Sequence, residues 1–377
     1  MPDPAATVAR PAYPAEIRSL APVGFLALAW VIINQFEDRL GLHVGRALGF
    51  VAHGYMGSDL FFVVGGFWLA HVVATQVNTG QASYASVVWR RMSRIYPLHL
   101  ATIALMAGLM LVSIRLGEAP RTDVFDPIGL LGNLFLVHAW GVLPTVSWNF
   151  PSWMVSAEWF ALLLFPGMLW LALKGWSRPA VALIVPVLLM AAMFESAHAR
   201  GVLFTDMTAQ VGVFRTLPDF LFGAGLYRFG LHRALGPRWG AALMVLALGW
   251  IGVAAQLGLS DPWIWPAFGP LVLGAAETVR GSGRSILASR PLRFLGETAY
   301  AMYLVYLPVD IVYYHLLHRW AGAPTGAEAW IAWAGVFPAI AIAGILAHYG
   351  VERPAAALLA RLDPYKSRDR AGLTVAA

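Results

Sequence analysis

The 377-residue sequence contains no cysteine, which excludes disulfides, thiolate nucleophiles and Cys-ligated metals and leaves the redox compartment unmarked. Charge is scarce as well. Only 12% of residues are Asp, Glu, Lys or Arg against 59% hydrophobic, and the mean hydropathy is +0.65. That balance excludes ordinary soluble domains. Also missing is the apolar/polar alternation, over segments of about ten residues, that an outer-membrane barrel needs. There is no HExxH, P-loop, GxGxxG or Gly-x-Ser-x-Gly pattern, and no metal site is expected. The N-terminal MPDPAATVARPAYPAEIRSL has no apolar core before Leu20 and no cleavage signature, so the first apolar stretch is expected to be retained.

What is present is a succession of apolar stretches of about 17 to 24 residues, each broken by Gly, Pro or charge, the length a helix needs to cross a hydrocarbon core. The expected fold is an all-α, polytopic membrane bundle of about ten transmembrane helices, at 20–36, 59–77, 95–115, 154–173, 179–194, 209–229, 239–258, 263–279, 295–318 and 328–349. A further apolar stretch at 127–142 is read as re-entrant or interfacial. With it uncrossed and both termini cytoplasmic, 19 of the 26 Lys and Arg residues fall inside and 7 outside; with it crossed, the Arg280–Arg293 cluster would face out, against the positive-inside rule. The same rule accounts for the net charge of +6 without a nucleic-acid partner. One membrane domain, 20–354, is expected between cytoplasmic tails at 1–19 and 355–377.

Ionisable groups inside spans are costly in lipid and mark sites or buried pairs. In WRRMSRIYPLHL (89–100), Arg90, Arg91 and Arg94 stand before an apolar run: either topological charge, or a grip for a phosphorylated ligand through bidentate bonds. Glu158 follows Asn149, Ser152 and Trp153 and either pairs with an arginine or faces substrate. Asp59 opens a span in which Gly65 and Gly66 admit a close helix or a ligand. Arg215 and Asp219 are four apart and read as a helical pair. Asp310 and His315 suggest either a proton relay or groups satisfied by nearby tyrosines. Of the ten histidines, none lies between Ile17 and Leu42.

Four stretches occur in a telling order: GSDLFFVVGGFWLAHVV (57–73), RRMSRIYPLHL (90–100), NLFLVHAWGVLPTVSWNFPSWMVSAEWFALLLFP (133–166), and LRFLGETAYAMYLVYLPV (292–309) with VERP (351–354). Their succession resembles the acyltransferase 3 family, bacterial membrane-bound O-acyltransferases acting on carbohydrates, over essentially the whole chain. The resemblance implies transfer of an acyl group, most plausibly acetyl, from acyl-coenzyme A (acetyl-CoA) to a hydroxyl of an exported polysaccharide or glycolipid. It also implies a multi-pass protein of the bacterial cytoplasmic membrane, in contact with lipid, a carbohydrate acceptor and partners in polysaccharide synthesis or export. By the same resemblance Arg90, Arg91 and Arg94 would hold the coenzyme phosphates, and Glu158, Trp153, Ser152, Asn149 and Asp59 would shape the catalytic and acceptor site. The chain departs from the pattern where the first helix usually carries arginine and then histidine: Gly24 and Gln35 stand there. Gly65 and Ala299 replace serines, and Tyr306 replaces a histidine. His53 or His71 would then have to supply the base, or the chain is a slow or retired enzyme. A non-catalytic sugar or lipid-linked-sugar binder or transporter on the same fold is the alternative.

Overall fold

The computed structural model describes residues 13–117, 124–143, 145–173, 180–202, 204, 212–281 and 284–365. Arg10, Arg121, Lys174, Arg178, Lys366, Arg368 and Arg370 of the charge partition lie outside the described residues, as do part of the stretch 195–208, expected to face outward, and most of both expected tails. Among the described residues the chain is helical, with no strand. The helices are α1 (Leu20–Gln35), α2 (Gly57–Val72), α3 (Tyr84–Arg115), α4 (Pro127–Leu134), α5 (Trp153–Leu173), α6 (Val181–Ala199), α7 (Gly212–His232), α8 (Pro237–Gln256), α9 (Phe268–Glu277), α10 (Arg290–Ala321), α11 (Gly326–Ala347) and α12 (Arg353–Arg361). Short turns of helix link several of them.

Six described helices are long and apolar enough to cross a membrane: α2 with its flanking turns, α3, α5, α6, α8, and α11 continued through α12. The chain is thus a helical membrane protein, and the expected ten spans are not all met by length and composition. The shortfall has physical causes. The α1 helix has 16 residues, and α7 carries Arg215, Asp219 and Arg228 within its apolar run. Prolines stand inside α3, α5, α6, α7, α10 and α11, as neighbouring helices permit in membranes.

The two 32-residue helices, α3 and α10, are each about 48 Å long at 1.5 Å per residue, well beyond a hydrocarbon core of roughly 30 Å. Both begin with a charged first stretch. The arginine edge expected in a loop before a span at 95 therefore belongs to the helix itself, which starts at Tyr84 under a Ser83 cap that accepts from Ser86 N. Stretch 127–142 holds only the eight-residue α4, capped by Asp126, and is too short to cross. The irregular backbone after α4 is tied inward: Ser156 Oγ accepts from Ala139 N and donates to Leu136 O.

Glycine brings α2 and α7 together. A Cβ on Gly66 would fall well inside contact distance of the Phe220 carbonyl, and one on Gly223 inside that of Val63 O. The expected Arg215–Asp219 pair is corrected here. Across this close interface Asp59 meets Arg215 bidentately, Nε to Oδ1 at 2.6 Å and Nη2 to Oδ2 at 2.5 Å, while Asp219 turns to the indole of Trp265 at 2.7 Å. A guanidinium fork matched by both carboxylate oxygens outcompetes a neighbour one turn away. His315 is exposed while Asp310 is buried against Arg39, so these two form no relay. Both expected tails begin docked. Tyr13 OH donates to Glu277 Oε1 at 2.7 Å, and α12 lies along α3, with Trp89 Nε1 donating to Leu359 O and Ser86 Oγ to Asp363 Oδ2.

Candidate functional site

At the charged ends of α3 and α10, beside α1 and α2, lies a cavity of about 280 Å³. Arg18, Arg91, Arg94 and Arg293 line it together with Glu16 and Glu297, so four arginines from three sequence regions share one side of the bundle, as the charge partition expects. Arg91 and Arg94 are three apart on α3, close to one turn, which turns both toward the cavity. Arg90 does not join them: it is exposed and donates to Gln76 Oε1 at 3.1 Å.

Arg91 reaches across to α5, where Nε and Nη2 lie 2.6 and 2.5 Å from Glu158 Oε1, and its guanidinium sits 5.4 Å from the Trp68 ring. Glu158 is thereby held behind the cavity wall, beside Tyr300 and Tyr303 at a void of about 10 Å³, room for about one water. The π-turn His348–Glu352 carries Glu352 to Arg94, Nε to Oε1 at 2.6 Å, and lets Glu352 Oε2 meet His348 Nδ1 at 2.9 Å. Arg94 Nη2 also donates to Glu297 O at 3.0 Å. Arg18 and Arg293 have only solvent-exposed partners in Glu16 and Glu297; such pairs are worth about 0–1 kcal/mol and yield readily to a better anion.

Three of the departures from the resemblance converge here. Gly24 of α1, Gly65 of α2 and Ala299 of α10 all line the cavity, so the missing polar side chains enlarge one space. Gln35 does not belong to it: it is the last residue of α1 and exposed. Tyr306 is buried deeper, against Phe36.

The other expected site residues are dispersed. His53 lies in the short helical turns after α1, its Nδ1 2.8 Å from Gly49 O. His71 is buried under Tyr13 and Tyr227, donates Nε2–H to Ala15 O at 3.1 Å, and among the described residues leaves Nδ1 without a partner. Neither lines the cavity. Asp59 is consumed by Arg215, whose guanidinium lies 5.8 Å from the Trp153 ring. Asn149 Nδ2 donates to Thr102 Oγ1 and Leu304 O, both at 3.1 Å. Ser152 Oγ donates to Asn149 O at 2.7 Å and lies 3.1 Å from both Asn133 Oδ1 and His138 Nε2. Ser152, Asn149, Asn133, His138 and His99 thus form a fully buried polar knot that ties α3, α4 and α5 together. Asn133, His138 and His99 were not singled out from the sequence. All three occur within motifs quoted above, but residues 99, 133, 138 and 152 have no common spacing; only the fold joins them.

The model of the acyltransferase 3 family, described as an acyltransferase domain, matches residues 23–348. Acyltransferase MdmB of Streptomyces mycarofaciens is 31% identical over 358 residues, covering 87% of each chain. An uncharacterized protein of Haemophilus influenzae is 23% identical over 175 residues, 44% of this chain and 71% of its own. Protein 2 in the picA locus of Rhizobium radiobacter is 30% identical over 113 residues, 29% of this chain and 59% of its own. No solved structure matches.

Proposed function

The chain belongs to the acyltransferase 3 family, and from that premise we propose that it moves an acyl group from acyl-coenzyme A, with acetyl as the smallest case, to a hydroxyl of an exported polysaccharide or glycolipid. The observation that carries the donor half is the basic cavity, where Arg91 and Arg94 stand with Arg18 and Arg293. A polyanion with several phosphates suits guanidinium forks better than a neutral sugar does. Arg91 also binds Glu158, so the anion site and the family's Trp153–Glu158 region are mechanically linked. In transfer, the thioester C–S bond breaks, the acceptor oxygen forms the ester, and the hydroxyl proton passes to a base and from it to the departing sulfur, so the coenzyme leaves as thiol. Glu158, beside the water-sized void and the Tyr300 and Tyr303 side chains, is the base we assign.

The setting we propose is the bacterial cytoplasmic membrane, with the basic cavity and both termini on the cytoplasmic side and ten crossings in all. The four crossings added to the six are α1, α7, α9 with its preceding turns, and α10. Arg215 and Asp219 are buried in the protein, so they do not bar α7 from lipid.

A second reading has an observation of its own: among the described residues, no histidine lines the cavity. A chain that kept the cavity and lost its base would bind the donor without turnover, or serve as a sugar or lipid-linked-sugar binding or transport subunit. Purified protein in lipid nanodiscs, offered acetyl-coenzyme A and a carbohydrate acceptor, separates these. Binding with turnover that Glu158→Gln abolishes supports the assignment, binding alone favours the retired enzyme, and no binding at all removes the acyl-coenzyme A reading.

A further inference from the structure

A second cavity, of about 360 Å³, lies between α1, α10 and α11. Ile32, Met302, Phe337 and Ile340 are among its walls, and every lining side chain is apolar apart from the indole N–H of Trp333, which is already donated to Phe36 O at 2.8 Å. Water entering it would find no partners. Two residues, Leu28 and Ala299, belong to this cavity and to the basic one alike. The α1 and α10 helices touch closely at Ala21 and Gly296, where a Cβ on the glycine would clash with the Ala21 carbonyl. A Cβ on Gly24 would meet nothing within 4 Å, so the basic cavity is open beside it. The basic cavity and the apolar one thus adjoin at Leu28 and Ala299, and Trp333 is among the residues that line the apolar one.

This shape matches one molecule with a polyanionic head and an alkyl tail joined end to end. Resting on the donor reading above, we propose that the apolar cavity holds the acyl chain of the donor, and that thioesters of medium-length straight-chain acids, about six to ten carbons, are bound in preference to acetyl. At roughly 30 Å³ per methylene-sized group the cavity has room for about twelve, so a chain of six to ten carbons fits with some space to spare, whereas an acetyl group leaves it almost empty. Trp333, pinned by its hydrogen bond and packed edge-on against Phe337 at 4.9 Å, is the stop that measures the chain.

The test is binding, which does not require turnover. Full-length protein in nanodiscs is titrated with coenzyme A, acetyl-coenzyme A and octanoyl-coenzyme A, and the same is done for Ala341→Phe and Ala29→Phe, which fill the recess from opposite walls. Each buried methylene is worth about a fourfold gain in affinity. Octanoyl-coenzyme A should therefore bind the parent at least about tenfold tighter than acetyl-coenzyme A, even after part of the gain is lost to ordering the chain. Both filled variants should lose that gain and keep the affinity for free coenzyme A within about twofold, which also shows that they fold. Affinity that does not change with chain length, as when a membrane lipid tail occupies the recess, overturns the proposal. So does a gain that survives both variants, because it then comes from partition into the bilayer. Failure of free coenzyme A to bind the parent would instead overturn the donor reading on which the proposal rests.

Discussion

Three arginines that look equivalent in sequence are three different residues in the fold. Arg91 both lines the cavity and holds Glu158, Arg94 lines it while held by Glu352, and Arg90 faces away toward Gln76. Arg91→Ala should weaken acetyl-coenzyme A binding roughly tenfold to a hundredfold, the cost of a lost charged hydrogen bond, while Arg90→Ala should change it less than about twofold. Isothermal titration of the two variants checks this; equal losses would mean that the edge acts only as diffuse charge. Arg91→Lys should recover little, since an ammonium does not reproduce the fork shared by a phosphate and Glu158. A second expectation concerns Asp59, which lies in a fully buried pair with Arg215. Removing one partner of such a pair costs about 3–5 kcal/mol, because the other charge is left buried and uncompensated. Asp59→Asn should therefore lower the unfolding temperature sharply even where the donor still binds, which assigns this residue to stability and not to the acceptor.

Helices meet here through small residues as much as through large ones. One of the tightest approaches, between α2 and α7, rests on Gly66 and Gly223, each facing a backbone carbonyl of the other helix. Gly66→Ala should destabilise the fold by roughly 1–3 kcal/mol through overpacking, read as a lowered melting temperature in detergent. Gly24→Ala is the contrast: it meets nothing within 4 Å, so it should leave stability unchanged or raise it by about 0.4–1 kcal/mol. Loss of stability at Gly24 equal to that at Gly66 would contradict the open space described beside Gly24 in the basic cavity. Element boundaries were the least legible part of the sequence. Hydropathy marks where lipid contact begins, and α3 and α10 continue as helix well past that point, so the arginine edge read as a loop proves to be the start of a helix.

For the molecule as a whole, the charge partition and the cavity make one claim about sidedness. Arg18, Arg91, Arg94 and Arg293 converge at one end, whereas Arg39 meets Asp310 elsewhere in the bundle. A single cysteine introduced as Ala85→Cys should be labelled by an impermeant reagent only after the cytoplasmic face is opened, and His43→Cys should be labelled in intact cells. The reverse pattern would place the basic cavity outside, where no acyl-coenzyme A is available. In this cysteine-free chain the parent gives a clean background.

Composition and motif order alone determined that the chain is a helical membrane protein and which family it resembles, because lipid imposes a length and a polarity on each span that any single sequence must display; that 127–142 holds only a short helix needed the fold. For Glu158 the sequence left two readings open, an arginine pair or a substrate-facing acid, and the fold shows the pair. Its partner's identity was not legible. Arg91 is 67 positions away, Asp59 is 156 from Arg215, and Arg94 is 258 from Glu352, separations at which no local periodicity operates. Likewise, Gly24, Gly65 and Ala299 read in sequence as three separate losses. Only the packing of α1, α2 and α10 around one space makes them a single enlargement of the basic cavity, which adjoins the apolar one at Leu28 and Ala299.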